Sequence, residues 1–299
     1  MDNAHWLEER RKGIGGSDAG AVLGVSPWKT PLQVYLEKRG EVPGIEDNEY
    51  MKWGRNLEPL IRQEYANQTG REVMVPGEIL RHPRYGWMLA NLDGAVNGNS
   101  SVKRVLEIKT ARSADGWGEP GTDEIPDHYQ AQVQHYMIVT SYPVADVAVL
   151  IGGSDFRLYE VPADPELHEL MIEKEAAFWE QVQKGIEPDP VNAADIKIKF
   201  GSKSISEVVQ ASADVAEAID RLRQIKALKK EEDELKAVIQ RHMGFADTLV
   251  DNGKVLATWK AGKPPVRFDA TAFKAEHPEL YAQFAKEGEA ARRFLLKSY

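Results

Sequence analysis

Three residues about a third of the way along the chain have the types and spacing of a metal-dependent hydrolytic centre. Glu107 and Lys109 are two residues apart in the strand-like segment VLEIKT, so a strand would point both side chains to the same face of a sheet. Asp93 comes before Gly94 near the end of a second apolar segment, WMLANLDGAV. A hairpin that joins the two segments would bring Asp93 beside Glu107.

Two carboxylates and a lysine at one edge of a sheet are the groups that metal-assisted phosphodiester hydrolysis requires. Carboxylate oxygens are hard ligands that suit Mg²⁺, with Mn²⁺ as a substitute, and a cation stabilises the negative charge that develops on the phosphate. We therefore predict that Asp93 and Glu107 bind the metal, with the backbone carbonyl of Ile108 as a third ligand. Lys109 would orient the attacking water or help to deprotonate it.

Two further polar residues lie on segments with helical periodicity. Glu58, in WGRNLEPLIRQEY, could reach the metal from its helix, or it could be an ordinary solvated charge. Gln132, in YQAQVQHY, shares one helical face with Tyr129 and Tyr136. A glutamine between two tyrosines is unusual for simple core packing, so Gln132 is a further candidate for the site.

The segment RRKGIGGSDAGAVLG combines a basic cluster with a glycine-rich turn before an apolar helix. Ser17 or Asp18 could cap this helix. The Ser17 hydroxyl and the Arg11 guanidinium, beside exposed amides at the start of the helix, could form an anion pocket for a DNA phosphate. Ordinary capping next to a solvated basic run is the alternative interpretation.

From Trp6 to about Pro190, helix-like and strand-like segments alternate between Gly and Pro clusters, which predicts an α/β domain. The predicted helices cover Pro31–Arg39, Glu49–Thr69 and residues 127–140 and 166–184. The predicted strands cover residues 72–80, 87–96, 102–110, 145–151 and 156–161, with a hairpin turn at residues 97–100.

The last third of the chain is predicted to form a separate appendage. We place the boundary near residue 200, with domains at residues 1–200 and 201–299. Apolar residues from Val208 to Met243 mark a long amphipathic helix, and Asn252 and Gly253 mark the turn of a small hairpin over residues 247–259. A short arginine-bearing helix is expected from Ala270 onward. The appendage is a candidate DNA clamp or docking surface for a partner.

Composition excludes several chemistries and limits others. The chain has no cysteine, so disulfides, thiol nucleophiles and thiolate metal sites are excluded. A net charge of -9 argues against a broadly basic nucleic-acid surface but not against a local basic groove. The sequence shows neither an apolar run long enough to span a membrane nor a signal peptide, which favours a cytoplasmic protein.

The order of five motifs resembles the YqaJ-like viral recombinase family, which is similar to lambda exonuclease. The motifs are RKGIGGSDAGAVLG, WGRNLEPLI, LDGAV, LEIKT and YQAQVQHYM, and the resemblance covers roughly residues 6–190. It implies the restriction-endonuclease-like PD-(D/E)XK fold, with a mixed central sheet flanked by helices. It also implies digestion of one strand of linear duplex DNA from 5′ to 3′, which leaves 3′ overhangs for recombination.

The resemblance also assigns roles to residues and suggests partners. By matching motifs, the catalytic residues would be Asp93, Glu107, Lys109, Glu58 and Gln132, and the 5′-phosphate pocket would contain Arg11 and Ser17. Leu92 stands where many members of this fold have a proline before the catalytic aspartate. The family further implies a phage or prophage protein in a bacterial host cell, acting on duplex DNA ends as a ring-shaped trimer. A single-strand annealing protein is a further candidate partner.

Two other functions fit parts of this pattern. An endonuclease of the same fold, such as a restriction enzyme or a junction resolvase, would use the same three residues without requiring a DNA end. A non-catalytic DNA-binding scaffold for recombination would use the long C-terminal helix to recruit a partner. The anion pocket would distinguish an end-dependent exonuclease from the endonuclease. Metal-dependent hydrolysis would distinguish an enzyme from the scaffold.

Overall fold

The computed structural model describes residues 8–42, 48–97, 102–202, 204–263, 265–286, 288 and 291–296. The chain forms two compact units, Met1–Lys199 and Phe200–Tyr299. Its helices are α1 Gly16–Val22, α2 Pro31–Arg39, α3 Glu49–Thr69, α4 Asp127–Thr140, α5 Pro165–Lys184, α6 Ala193–Phe200, α7 Ala213–Met243, α8 Ala270–Glu276 and α9 Pro278–Phe284. Its strands are β1 Ile14–Gly15, β2 Glu72–Met74, β3 Leu80–Arg81, β4 Met88–Ala90, β5 Gly94–Asn97, β6 Lys103–Ala111, β7 Val144–Ile151, β8 Asp155–Pro162, β9 Thr248–Asp251 and β10 Lys254–Thr258.

The first unit is built on a mixed five-stranded sheet in the order β2-β5-β6-β7-β8. Strand β6 lies in its centre, antiparallel to β5 and parallel to β7. The hairpin predicted between the strands at residues 87–96 and 102–110 is therefore confirmed as the β5–β6 pair. Residues 98–100 of its turn lie outside the described residues. The mixed α/β class predicted for this part of the chain is confirmed.

Two strands that we predicted as continuous are each broken into two. The prediction over residues 72–80 becomes β2 and β3, because Pro76 and Gly77 lie between them and a proline cannot donate a ladder hydrogen bond. The prediction over residues 87–96 becomes β4 and β5. Strands β3 and β4 belong to a separate three-stranded sheet, β1-β4-β3, so the chain changes sheets just before Asp93.

Helices cover both faces of the main sheet, and the alternation along β6 decides which residues meet which helix. Leu106 and Ile108 pack with Ile61 and Tyr65 of α3 in one buried cluster. Val105 packs in a second cluster, which contains residues of α4 such as Val133 and Met137. Glu107 and Lys109 have the same parity as Val105, so they face α4.

Helix α4 is fixed to its neighbours by a buried polar residue. His135 is fully buried, and its Nδ1 lies 3.0 Å from Glu175 Oε1 of α5, while its Nε2 lies 3.0 Å from the carbonyl oxygen of Leu89 in β4. Burial alone would lower the pKa of His135, but the charge of Glu175 outweighs it and raises the pKa. An imidazolium that donates to both partners therefore ties α4 to β4, which borders the site described below.

The second unit contains the long helix, the small hairpin and the terminal helices. Helix α7 begins at Ala213, so Val208, which we predicted to lie in this helix, precedes it. The strands β9 and β10 pair antiparallel as expected. The helix predicted from Ala270 consists of two short helices, α8 and α9, separated at His277, and its expected arginines at 292 and 293 come after both. In the described part of the chain, no helix is long and apolar enough to span a bilayer.

Candidate active site

The β5–β6 hairpin brings Asp93 to Glu107. Gly94 pairs with Leu106, so the residue before Gly94 falls opposite Glu107 in the antiparallel register. Asp93 Oδ2 accepts a hydrogen bond of 2.8 Å from the backbone amide of Ile108. This bond fixes the carboxyl against β6 through Oδ2, and Oδ1 is the candidate metal ligand.

Glycine is required beside Asp93 for steric reasons. A Cβ atom at Gly94 would lie 2.6 Å from Val73 Cγ1 and 3.2 Å from Leu106 Cδ2. The contact with Val73 is shorter than real Cβ contacts, so a larger residue would force Val73 or the backbone to shift, and the contact with Leu106 would also be tight. The Asp-Gly pair in LDGAV therefore lets the chain enter the main sheet closely enough for Asp93 to reach β6.

Glu107 is held by two neighbouring side chains. Its Oε1 accepts a hydrogen bond of 2.7 Å from Gln132 Nε2 and lies 2.5 Å from Lys109 Nζ. Lys109 Nζ also donates to Gln132 Oε1 at 3.1 Å and lies 4.7 Å from the centre of the Tyr129 ring. The structure thus brings Asp93, Glu107, Lys109 and Gln132 together around one end of β6.

Burial and mutual repulsion shift the ionisation of this group. Burial, with a further contribution from the negative charge of Asp93, raises the pKa of Glu107 to about 8. Burial also raises the pKa of Asp93, against the opposing charge of Lys109. Burial alone would lower the pKa of Lys109, but Glu107 and Asp93 outweigh it and raise the pKa. Lys109 is therefore a cation beside carboxyls that a divalent ion would help to ionise.

The donor set of this group fits a hard divalent cation. Glu107 Oε2 is buried and has no hydrogen-bond partner among the described residues, although such an atom is normally paired. Within the same residues, no group of three or more Asp, Glu or His side chains is arranged to hold a metal ion. The candidate ligands that meet on β6 are two carboxylates, Asp93 and Glu107, with the backbone carbonyl of Ile108, and Glu58 does not complete a group of three carboxylates with them.

Glu58 lies on α3, near enough to Asp93 for the two charges to interact. Its carboxylate forms an ion pair with Arg62, one helical turn later, and Arg62 Nε donates a hydrogen bond of 3.0 Å to the backbone carbonyl of Asp93. Burial, followed by the charge of Asp93, raises the pKa of Glu58. Arg62 therefore connects α3 to the chain at Asp93, a role that we did not predict and that only its spacing from Glu58 could have suggested.

A cleft at the start of α1 contains the predicted Ser17 but a different arginine. Arg10 Nη2 donates a hydrogen bond of 2.8 Å to Ser17 Oγ, and both residues line the cleft with Asn91 and Tyr136. The Arg11 side chain points elsewhere, with Nη1 3.6 Å from the position of a Cβ at Gly40. The structure therefore brings Arg10, rather than Arg11, to Ser17.

Neither of the residues that we expected to cap α1 is its N-cap, which is Gly15. Asp18 acts from within the first turn: its Oδ2 accepts from the Gly15 amide at 3.0 Å and from Lys38 Nζ at 2.6 Å, and its Oδ1 lies 3.5 Å from Arg10 Nη2. Burial alone would raise the pKa of Asp18, but the charges of Lys38 and Arg10 outweigh it and hold the pKa well below its ordinary range. Asp18 therefore stays ionised and orients Arg10 toward the cleft.

Tyr136 connects the cleft to the carboxylate group. Its hydroxyl accepts a hydrogen bond of 3.1 Å from Gln132 Nε2, which also donates to Glu107. Its ring packs against α1 so closely that a Cβ at Gly16 would lie 2.4 Å from Tyr136 Cε1. The GIGGSD glycines thus bring the Arg10–Ser17 pair next to the end of β6.

The chain is similar in sequence to a known domain family and to proteins of a bacterium and a virus. Residues 5–143 match the YqaJ-like viral recombinase domain. The uncharacterized protein YqaJ of Bacillus subtilis (strain 168) is 36% identical over an aligned length of 311 residues. The alignment covers 99% of this chain and 95% of that protein. The uncharacterized protein R354 of Acanthamoeba polyphaga mimivirus is 26% identical over 150 residues, which cover 47% of this chain and 27% of that protein.

A solved structure shows the fold independently. The alkaline exonuclease LHK-Exo of Laribacter hongkongensis matches with a TM-score of 0.51 at 21% identity, over 62% of this chain and 95% of its own. Its complex with dAMP matches with a TM-score of 0.50 over the same shares. The restriction-endonuclease-like fold expected from the resemblance is therefore confirmed. With a full-length relative at 36% identity, the chain belongs to the YqaJ-like viral recombinase family.

Proposed function

We propose that this protein is a metal-dependent DNA exonuclease that degrades one strand of linear duplex DNA from 5′ to 3′ and leaves 3′ overhangs for phage-type recombination. The observation that carries the proposal is the convergence of Asp93, Glu107, Lys109 and Gln132 at one end of β6, with Glu107 Oε2 buried and unpartnered among the described residues. Membership of a recombinase family and the fold of an alkaline exonuclease support it.

In this proposal Asp93, Glu107 and the Ile108 carbonyl hold Mg²⁺, or Mn²⁺ in its place, and Glu58 is a further candidate ligand. When bound, the metal supplies Lewis-acid activation of water and neutralisation of phosphate charge. Gln132 positions Glu107 and Lys109, because it donates to the carboxylate and accepts from the ammonium group. The same carboxylates keep Lys109 protonated, so it orients water and stabilises the anionic phosphate as a cation.

The test of the function compares DNA ends. We expect end-labelled linear duplex to be degraded in the presence of Mg²⁺, with faster digestion of 5′-phosphorylated ends, while covalently closed circles survive. Label at the 5′ end should be released first, and label at the 3′ end should persist. Rapid nicking of closed circles would establish an endonuclease instead, and DNA binding without hydrolysis would establish a non-catalytic scaffold.

The cleft beside the carboxylates is the candidate pocket for the 5′ phosphate. Arg10→Ala should reduce the ratio of kcat/KM for phosphorylated over hydroxyl ends by about tenfold, because a charge-assisted hydrogen bond contributes about 1.5–3 kcal/mol. Arg11→Ala is the matched neighbour and should change this ratio little. Kinetics on the two kinds of linear end measure both. If Arg11→Ala alone erases the preference, Arg11 binds the phosphate and the assignment to Arg10 is wrong.

The second unit is proposed to contact DNA or a single-strand annealing protein. Its long helix α7 leaves apolar side chains such as Leu222, Leu228 and Leu235 about half exposed. A truncation must spare Asp195, because its Oδ1 accepts a buried hydrogen bond of 2.9 Å from Thr30 Oγ1. Ending the chain after Ser202 should therefore retain nuclease activity on short duplexes but reduce processivity on long ones or capture of the annealing protein. Unchanged processivity and unchanged capture would refute this role.

We also propose a ring-shaped trimer that encloses duplex DNA in the cytoplasm of a bacterial host, as the resemblance implied. A ring would place a basic lining inside an assembly whose subunits have a net charge of -9. Light scattering coupled to gel filtration would measure the mass of the assembly. A monomer at micromolar concentration, with DNA or without it, would exclude the trimer.

A further inference from the structure

A large aromatic side chain at the rim of the site has no role in the function described so far. Trp28 lies in the turn before α2, and 65% of its surface is exposed. Tryptophan is highly buried on average, and this exposed indole offers a large aromatic surface to a ligand. The ring contacts His128 at the start of α4 in a perpendicular arrangement, with 4.4 Å between the ring centroids.

The turn that carries Trp28 is fixed by side-chain hydrogen bonds. Ser26 Oγ accepts from the backbone amides of Trp28 and Lys29, each at 3.2 Å. Lys29 Nζ then pairs with Glu37 of α2 at 2.7 Å. The indole is therefore presented in a set position, and a ligand that contacts it would have little ordering of the chain to oppose binding.

Tyr129 sets the distance from the indole to the reacting end of β6. The centre of the Tyr129 ring lies 4.7 Å from Lys109 Nζ and 6.1 Å from the centre of the Trp28 ring. The indole centre can therefore lie at most about 11 Å from the ammonium group. Bases stacked in one DNA strand are about 3.4 Å apart, so this distance is about three base steps.

We propose that Trp28 is a stacking platform for a nucleobase of the strand being cut, within three nucleotides of the scissile phosphate. The inference rests on the proposed nuclease function and adds a subsite to it. Aromatic side chains stack on any base, because every base has a π face, so the platform fits an enzyme that digests DNA of any sequence. The perpendicular His128 contact supports the indole and leaves most of it open to the DNA.

Packing offers a competing explanation. His128 Nε2 is buried and has no hydrogen-bond partner among the described residues, and Trp28 could serve only to cover His128. Two substitutions distinguish base stacking by Trp28 from simple packing of Trp28 over His128. Trp28→Leu keeps apolar bulk over His128 but removes the π face, whereas Trp28→Phe keeps a ring that can stack.

The experiment is a binding cycle in the full chain carrying Lys109→Ala, so that DNA is bound but not cut. Trp28→Leu should weaken binding of a 5′-phosphorylated duplex about tenfold, and Trp28→Phe should stay within about twofold of the parent. The effect of Trp28→Leu should vanish when one of the first three nucleotides of the 5′-ended strand is abasic, because the base that it would stack is then missing. Melting temperatures check that each variant is folded.

Equal binding by the leucine variant and its parent would overturn the platform, as would a binding loss that no abasic position removes. Coupling found only at abasic positions of the opposite strand would also overturn it. The proposed function is judged separately: it fails if the protein with native Lys109 does not hydrolyse linear duplex. If the protein hydrolyses linear duplex but Trp28→Leu does not change DNA binding, the proposed function stands and only the Trp28 subsite is refuted.

Discussion

Lys109→Ala is expected to lower kcat for DNA hydrolysis by about a thousandfold while leaving the Kd for linear duplex within about threefold. The partly buried ammonium group lies 2.5 Å from Glu107 Oε1, beside carboxylates that keep it charged, so its removal takes away the cation nearest the carboxylates. A loss in kcat rather than in binding is expected, because the charge on phosphate grows in the transition state. Single-turnover kinetics and fluorescence anisotropy measure the two quantities.

The same strand offers a matched control. Lys103 lies at the other end of β6, where its Nζ is 5.7 Å from the Tyr142 ring centre. Lys103→Ala removes the same charge from the same strand and should leave kcat within about twofold. If both variants hydrolyse DNA like the parent, the reaction does not take place at this end of β6. If both bind DNA poorly, the lysines contribute to DNA affinity rather than to the chemical step.

The parts of the site that the sequence predicted well are those fixed by local periodicity. Glu107 and Lys109 share a face because they are two apart on one strand, and this holds whatever the strand packs against. Helices α2 and α3 have the predicted bounds because capping residues and glycines mark their ends: Thr30 and Asn48 accept amide hydrogen bonds, and Gly40 and Gly70 adopt positive φ. The turn signal between β5 and β6 then placed Asp93 near Glu107.

The parts that the sequence did not predict depend on contacts between distant segments. Arg10 and Arg11 are adjacent and chemically identical. Which of them reaches Ser17 depends on Asp18, Lys38 and the direction in which the chain enters β1. The division of residues 87–96 between two sheets depends on which strands are available to pair. Arg62 became part of the site only because α3 packs against the chain at Asp93. Helical spacing alone cannot distinguish it from a solvated arginine.

Glu107→Gln should abolish metal-supported hydrolysis, with kcat reduced at least about a thousandfold, and should also remove the stabilisation that Mg²⁺ gives the folded protein. An amide keeps the shape of the side chain and can still accept from Gln132, but it loses the charge that the metal requires. Melting temperatures followed by tryptophan fluorescence, with EDTA and with Mg²⁺, measure the stabilisation. Glu160→Gln, an exposed carboxylate on β8, is the control and should behave like the parent.

The raised pKa of Glu107 adds a pH signature that has a definite sign. Without metal, the folded protein keeps a proton on Glu107 up to a pKa of about 8, whereas an unfolded glutamate loses it near 4.5. The folded state then binds more protons between these values, so the stability of the parent in EDTA should fall as the pH rises from about 4.5 to about 8. Glu107→Gln lacks this proton and should gain several degrees in melting temperature over the parent at pH 9 in EDTA.

Because Mg²⁺ binds the ionised carboxylate, its affinity for the parent should rise over the same pH range and level off above it. A metal affinity that is independent of pH, together with hydrolysis by the glutamine variant, would show that Glu107 is a structural carboxyl and that the metal binds elsewhere.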